Sequence, residues 1–477
     1  MIRVRYPAWP LLAAVVFAAG CSQETRFTTT SEEARSAYSE GVKQMEMFYY
    51  TEALQSLDRA VASDSNFALA WGRKAMLAFR MGQDSAARAF GARAARLAPA
   101  ASERERLLVS AWSNFVAYHY SPAAAAADSL IELYPDEGEA YFLRGMLYEI
   151  DKNLEAAIDV YAKASKGETA YPLAVMSLGY AYSAAGEQEK ALAAMRRYIE
   201  MAPEAADPRA SYADLLLRFG RYDEAMEQYQ KSLELKPDYW YAFSMIGKVY
   251  SAMGRLRDAE KMFDRAYGLL PPSRDLEAER LATAASLAMA RGNYKEAERL
   301  SHEALAMDTT LGPGAIGLIN ALIRQEKFDD ADQVVERFRA EMKARSLEES
   351  PSMADFHAIR ARVLSARGRQ EEALAALKEA MQYTSTLNRT YVYREMAEVY
   401  LKQGEIEPAL DACAEALSFN TNSPPALLTL TRVYHKQGDV RMTREVGERL
   451  QLFWKDADPD FKDAAELKRL LATTHAV

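Results

Sequence analysis

The 477 residues are 49% hydrophobic and 27% charged, the balance of an ordinary folded protein. The formal net charge of −9 leaves no broad basic face, so nucleic acid is not expected as a partner. Two cysteines, Cys21 and Cys413, are too few for a disulfide framework or a cysteine metal cluster.

The chain opens with Arg3 and Arg5 ahead of an apolar run, Leu11 to Ala19. That run is about half the length a bilayer crossing requires, and reads as a signal-peptide core rather than a transmembrane helix. Ala18-Ala19-Gly20 stand directly before Cys21. The arrangement resembles the cleavage box of bacterial lipoproteins, with Ala18 where those proteins usually carry leucine. The resemblance implies removal of signal peptide 1–20 and acylation of Cys21, palmitate included, as the first mature residue. A plain secretory signal with an incidental cysteine is the alternative. Ser22 follows rather than aspartate, which by the same resemblance favours the outer membrane over inner-membrane retention. Residues 21–31 are polar and short, a tether from lipid to fold.

The middle of the chain repeats itself. Gly186, Gly220 and Gly254 lie 34 residues apart, as do Ala191, Ala225 and Ala259, and Pro203, Pro237 and Pro271. Met195, Tyr229 and Phe263 recur between alanine and proline in each. One unit predicts a helix from Pro208 to Arg218, a turn at Gly220, a second helix from Asp223 to Glu234, and a stop at Lys236-Pro237. Ala213 and Ala225 are small where the helices approach; Tyr212, Leu216 and Tyr229 fill the gaps. Such a pair has too little core to stand alone and must stack on neighbours.

The same marks run both ways from this stretch. Ser31 with Glu32-Glu33 starts the first repeat. Gly82 and Ala87 mark the second, Ala111 and Ala123 the third, Gly145 and Tyr161 the fourth. The third has Tyr118-His119-Tyr120-Ser121-Pro122 in place of a turn glycine. After Pro271 the phase slips by about four residues. Gly292 and Ala297 mark the eighth repeat; the ninth keeps Phe328 and Ala331 but no turn glycine. Residues 346–353 form a polar joint between arrays 32–345 and 354–457. Gly368, Gly404 and Gly438 mark the last three repeats, and 458–477 holds a charged-faced capping helix. A 34-residue period with these residue types resembles the tetratricopeptide repeat. The implied fold is all-α, a superhelical solenoid of roughly twelve helix-turn-helix repeats with a C-terminal capping helix. More loosely, Ser102-Glu103-Arg104-Glu105-Arg106-Leu107 and Tyr134-Pro135-Asp136 are similar to repeat regions attached to some bacterial serine/threonine kinases and cyclases. No kinase signature accompanies them.

No catalytic, cofactor-binding or metal-ligating set emerges. Gly312-Pro313-Gly314-Ala315-Ile316-Gly317 spells the dinucleotide fingerprint but follows a helix, not a strand, so its residues read as helix start and close packing. His302-Glu303 opens like a zinc-protease motif, but Ala306 stands where the second histidine belongs. Cys413 falls on the repeat position of Tyr229 and Phe263 and reads as a small buried hydrophobe. An enzyme would require distant residues to converge across the array.

What remains is surface. By resemblance, the first helix of each repeat lines a concave groove. Met76, Phe79, Trp112, Phe115, Phe142, Met146, Met176 and Tyr180 take groove positions, and their apolar character points to a docking site for a partner segment or, equally, to core. Further on the groove is polar: Asp214, Lys248, Arg362, Arg394, Glu398 and Arg432. The expected function is a non-enzymatic protein-binding scaffold, lipid-anchored in the bacterial cell envelope. It would face the periplasm from the outer membrane and hold other envelope proteins, with no cofactor. A sensory or receptor subunit binding a small molecule or glycan is the alternative.

Overall fold

The computed structural model describes residues 27–166, 170–307, 313–344, 352–384, 389–418 and 420–473. The expected signal peptide, Cys21 and residues 22–26 of the tether lie outside the described residues, as do Gly312 and residues 346–351 of the joint. Contacts divide the chain into two compact units. One holds residues 27–45 and 49–130; the other holds 46–48 and 131–473. The division does not fall at the polar joint. There Phe338 and Phe356 keep their rings 6.0 Å apart across it.

Among the described residues, regular structure is helical, as the repeat pattern predicts. The hairpins are α1–α2 (Glu32–Glu46, Tyr50–Ser63), α3–α4 (Ala68–Arg80, Asp84–Leu97), α5–α6 (Glu103–Val116, Tyr120–Leu133), α7–α8 (Gly138–Ile150, Leu154–Ala164), α9–α10 (Pro172–Ala184, Gln188–Met201) and α11–α12 (Ala206–Arg218, Tyr222–Leu235). Then come α13–α14 (Trp240–Ala252, Leu256–Gly268), α15–α16 (Arg274–Arg291, Tyr294–Met307), α17–α18 (Pro313–Arg324, Phe328–Ala344), α19–α20 (Ser352–Ala366, Gln370–Tyr383), α21–α22 (Arg389–Gln403, Ile406–Leu417) and α23–α24 (Pro424–Gln437, Val440–Phe453). A last helix, α25 (Lys462–Thr473), follows.

Each hairpin turns at one left-handed residue. Eight are glycines; Phe48, Tyr118, Lys152 and Glu326 do the same with φ of 58–63°. The hydrogen bonds explain how the third repeat dispenses with glycine. Arg221 N–H donates to Leu216 O at 2.8 Å after Gly220, and His119 N–H donates to Asn114 O at 2.9 Å after Tyr118. Both close a helix in the same way. A non-glycine there costs on the order of 1–2 kcal/mol, against which stand the turn hydrogen bonds shared with the glycine hairpins and the packing of the two helices that the turn joins. At the predicted hairpin, α12 begins one residue earlier than expected, with Arg221 as N-cap and no side-chain cap. Asp223 sits in the first turn instead, where its charge favours the helix N-terminus.

The spacing of small and large residues fixes the close approach inside hairpins. A Cβ placed on Gly145 would lie 2.2 Å from the Tyr161 ring, and one on Gly179 would lie 2.9 Å from Met195. Gly247 meets Phe263 in the same way. Ala213, fully buried, holds this position opposite Tyr229.

In the first unit, the end of the expected tether is packed. Phe27 sets its ring against Tyr38 and Phe67. Thr28 N–H donates to buried Glu105 at 2.8 Å, and Thr29 Oγ1 donates to Asp64 at 2.5 Å. In the second unit, the array returns on itself. Trp454 Nε1 donates to Ala252 O at 2.8 Å, and Asp458 N–H donates to Gly254 O at 2.9 Å. Asn422 Nδ2 donates to Gly220 O at 3.0 Å. The Tyr222 and Phe453 rings lie 4.7 Å apart. The turns of α11–α14 are thus clasped by the segment from Asn420 to Phe461. At the phase slip, Ser273 caps a longer helix, α15, of 18 residues. A cleft of about 260 Å³ opens between α14, α15 and α16 there.

Candidate functional site

Six residues before each left-handed turn stands one residue on the first helix of the hairpin. In chain order these are Val42, Met76, Trp112, Met146, Tyr180, Asp214, Lys248, Ser286, Asn320, Arg362, Glu398 and Arg432. Glu466 follows Arg432 by one further period. The row changes character along the chain, from apolar, through phenol and carboxylate, to alternating charge.

Two of the apolar members, Met76 and Trp112, are buried packing residues. Trp112 is fully buried and lies on Gly72, where a Cβ would come within 2.6 Å of the indole. The Arg73 guanidinium sits 4.5 Å from its ring centroid. Met76 and Phe115 are buried too, and Phe79 is half-buried with its edge on Phe115 at 5.3 Å. In the second unit Phe142 is buried against Tyr161 and Tyr171. Met146, Met176 and Tyr180 are half-buried. The expected apolar groove therefore offers little open surface at Met76, Trp112, Phe115 and Phe142. Here α3 packs on α5 and α7 on α9, beside the contacts that α3 and α7 make with their own partners α4 and α8. Side chains that phase assigns to the groove end between them.

The next stretch, α9 to α13, buries two carboxylates among phenols. Asp207 accepts from Tyr239 at 2.9 Å, Tyr198 at 3.0 Å and Ser211 at 3.3 Å. Asp214 accepts from Tyr229 at 2.5 Å, Tyr241 at 2.7 Å and Tyr180 at 3.1 Å. Burial pushes the Asp207 carboxyl up to about 7 against the pull of its three donors. Burial raises Asp214 as well, again opposed by its phenols.

From α15 onward the first helices enclose a cavity of about 910 Å³. Its walls come from α15, α17, α19, α21, α23 and α25, with Leu377 of α20. Arg362 Nη2 donates to Glu395 at 2.9 Å, and its Nη1 to Asn320 at 3.3 Å. Arg394 closes on the same Glu395 oxygen. Arg432 forks onto Glu466 at 2.7 and 2.8 Å and reaches Glu398 at 2.5 Å. Thr429 donates to Glu398 at 2.6 Å. Burial alone would raise Glu395; Arg394 and Arg362 outweigh it and hold the carboxylate down at about 2. Burial works against the Arg432 charge, but Glu466 and Glu398 keep its pKa above the usual guanidinium value. Lys402 donates to Ser365 Oγ at 3.0 Å.

Of the residues that phase assigns to the polar groove, Arg362, Arg394, Glu398 and Arg432 line this cavity, whereas Asp214 is held among the phenols and Lys248 is exposed outside it. Phase missed Glu395, Glu466, Asn320, Arg324 and Lys402. The signal for Glu466 was available: Glu398, Arg432 and Glu466 are spaced by the 34-residue period. The fingerprint glycines serve packing. A Cβ on Gly317 would lie 2.8 Å from Ser301 Oγ, and α17 starts at Pro313. Cys413 is buried, and burial pushes its thiol up to about 12. Among the described residues no group of histidine, cysteine and carboxylate side chains could hold a metal ion. No described helix is long and apolar enough to cross a membrane.

Matches to family profiles agree with the repeat reading. A TPR repeat profile matches residues 213–254, and tetratricopeptide repeat profiles match 117–173, 174–204 and 316–383. The chain is 24% identical over 345 residues to the TPR repeat-containing protein YpiA of Bacillus subtilis, covering 65% of this chain and 78% of that one. It is 34% identical over 95 residues to the photosystem I assembly protein Ycf3 of Prochlorococcus marinus, covering 19% of this chain and about half, 54%, of Ycf3. A tetratricopeptide repeat protein from Parabacteroides merdae overlays 55% of this chain and 98% of its own, at 15% identity and a TM-score of 0.37.

Proposed function

We propose that this chain of tetratricopeptide repeats is a protein-binding scaffold held in the bacterial cell envelope by acylated Cys21. Tetratricopeptide arrays generally serve protein interaction, and Ycf3 is by its name an assembly protein. The observation that carries the reading is the large cavity of the second unit. It is walled by the first helices of successive hairpins, the elements on which such arrays present binding residues. The half-buried Met146, Met176 and Tyr180 extend the inner face toward the start of that unit. The lipid anchor is supported by the Ala18-Ala19-Gly20-Cys21 box. Anchoring by several acyl chains would be stable.

Two measurements test the reading. A photo-crosslinking residue in place of Met289, which lines the cavity, should capture a defined set of envelope proteins in cells. The same residue in place of Leu452, an exposed site on α24, should not. Mass spectrometry of the mature protein should show an acylated N-terminal Cys21, and Cys21→Ser should leave the membrane fraction or persist as uncleaved precursor. Cavity probes that capture nothing beyond the Leu452 control, or an unmodified Cys21, would sink the respective half of the proposal.

A further inference from the structure

The cavity wall carries charge that its own ion pairs do not use. Of the four carboxylates that line it, Glu395, Glu398 and Glu466 are bound by Arg362, Arg394 and Arg432. Glu326 is exposed at the turn after α17. Asp463 and Asp355 stand close behind the wall, in the fields of Arg432 and Arg362 respectively. On the other side, Arg324 and Lys402 line the cavity with no described carboxylate at ion-pair distance. Lys402 bonds the Ser365 hydroxyl and feels Glu395 without bonding it, and Arg324 feels Glu466 and Asp463 without bonding either. Arg394 spends one nitrogen on Glu395 and keeps further N–H groups.

Arg324 and Lys402 share a register, two residues before the left-handed turn. From α7 onward this position carries a cation or an apolar residue and never an acid. The dipole of the helix end favours a cation there, but does not explain why two of these cations open into one cavity without partners. Three of the four acids of the wall are committed to arginines and the fourth, Glu326, sits at the exposed turn, so an incoming group inside the cavity meets guanidinium and ammonium donors. A cavity of about 910 Å³ is far larger than one small anion fills.

We propose that this cavity takes an acidic polypeptide segment, with its carboxylates on Arg324, Lys402 and the free N–H groups of Arg394. The inference rests on the scaffold reading and names the chemistry of the docked partner.

The test uses detergent-solubilised full-length protein and a fluorescein-labelled deca-glutamate peptide, read by anisotropy. Deca-lysine and a single-stranded oligonucleotide of matched charge serve as comparison probes. Deca-glutamate should bind, and binding should weaken as salt rises. Arg324→Glu and Lys402→Glu should each weaken it about tenfold or more, since like charges then face one another. Thermal unfolding should fall only slightly, because Arg324 meets Glu466 and Asp463, and Lys402 meets Glu395, through their fields without bonding them. Arg324→Gln and Lys402→Gln, which place no new acid there, should weaken binding in the same direction. Arg441→Glu, an exposed cation on α24, should leave binding as it was. The proposal falls if deca-glutamate does not bind, if deca-lysine binds as well, or if Arg441→Glu weakens binding as much as the cavity variants. It also falls if the oligonucleotide binds more tightly and competes. Partners crosslinked from Met289 in cells by a chain that ignores deca-glutamate would overturn the acidic-segment inference and leave the scaffold standing. Deca-glutamate binding without any crosslinked protein would do the reverse.

Discussion

The second unit buries carboxylates in two ways. Between α9 and α13, Asp207 and Asp214 are held by neutral phenols, and burial raises both. Between α19 and α25, Glu395 and Glu466 are held by guanidiniums and titrate below the usual range. The row of residues six before each turn passes through both regions, so one backbone position supports either solution. Neutral donors satisfy lone pairs without compensating the charge. Arginine does both, at the cost of burying a second ion. The phenol region is suited to holding hairpins together, whereas the arginine region keeps charged donors at an open cavity.

The largest expected effect lies outside both regions, at the apolar end of the row. Trp112→Ala should lower stability by about 3–5 kcal/mol, read as a large fall in Tm, with little dependence on salt. A Tm near that of the parent would return Trp112 to the groove and reopen the apolar docking site. The phenol region comes next. The unfolded Asp207 carboxyl titrates near 3.8 and the folded one near 7, so the native state binds the extra proton between those values. Its contribution is fully present below pH 4 and is lost as pH rises to 7. The integrated loss is roughly 2–4 kcal/mol. Asp207→Asn should flatten this slope in denaturant titrations run across that range.

The arginine region should respond with the opposite sign. Glu395 and Glu466 are depressed on folding, so their contribution is present above the unfolded value near 4.5 and is lost as pH falls toward 2. Stability from these groups should therefore peak at about pH 4, where the two windows meet. Arg432→Met leaves Glu398 and Glu466 facing each other. It should cost about 2 kcal/mol near neutrality, below the 3–5 kcal/mol of a fully buried pair, because these side chains keep some exposure. Adding Glu398→Gln and Glu466→Gln should recover most of the loss. A triple variant no better than Arg432→Met would show that packing, not charge, holds this wall.

The hairpin count, the turn positions and the arrangement of small against large residues were legible in the sequence, because each follows from a local period. Gly220 and Ala225 announce a turn and a close contact wherever they recur. Tyr118, Lys152 and Glu326 do not, since the turn survives without glycine when neighbours fix it. The burial of Trp112 and Phe115 was not legible either. Phase puts them on the inner face of α5, but whether that face is open depends on how closely α3 and α5 approach, a property of the stacked array. The ion pairs were half legible: Glu398, Arg432 and Glu466 share one phase, whereas Glu395 joins Arg362 from a different register.

The smallest effect concerns the clasp that joins the two regions. Asn422 Nδ2 donates to Gly220 O at 3.0 Å, at the turn that follows Asp214, while the next helix along, α23, carries Arg432. Gly220 cannot easily change, since a Cβ there would lie 2.3 Å from Asn420 Oδ1 and the residue is left-handed. Asn422→Ala removes this hydrogen bond between sequence-distant turns, and with it the exposed bond that Arg449 of α24 donates to Asn422 Oδ1. It should cost about 1 kcal/mol, and Arg449→Gln serves as the control that removes only the second bond. Global unfolding should move little. Because repeat arrays lose structure locally, hydrogen exchange should quicken at the turns of α11–α14 and in α24 and α25, and stay as it was in α3–α5. If α24 and α25 keep parent rates, the return contact adds nothing to the last hairpin, and the arginine-lined wall is held by its own ion pairs alone.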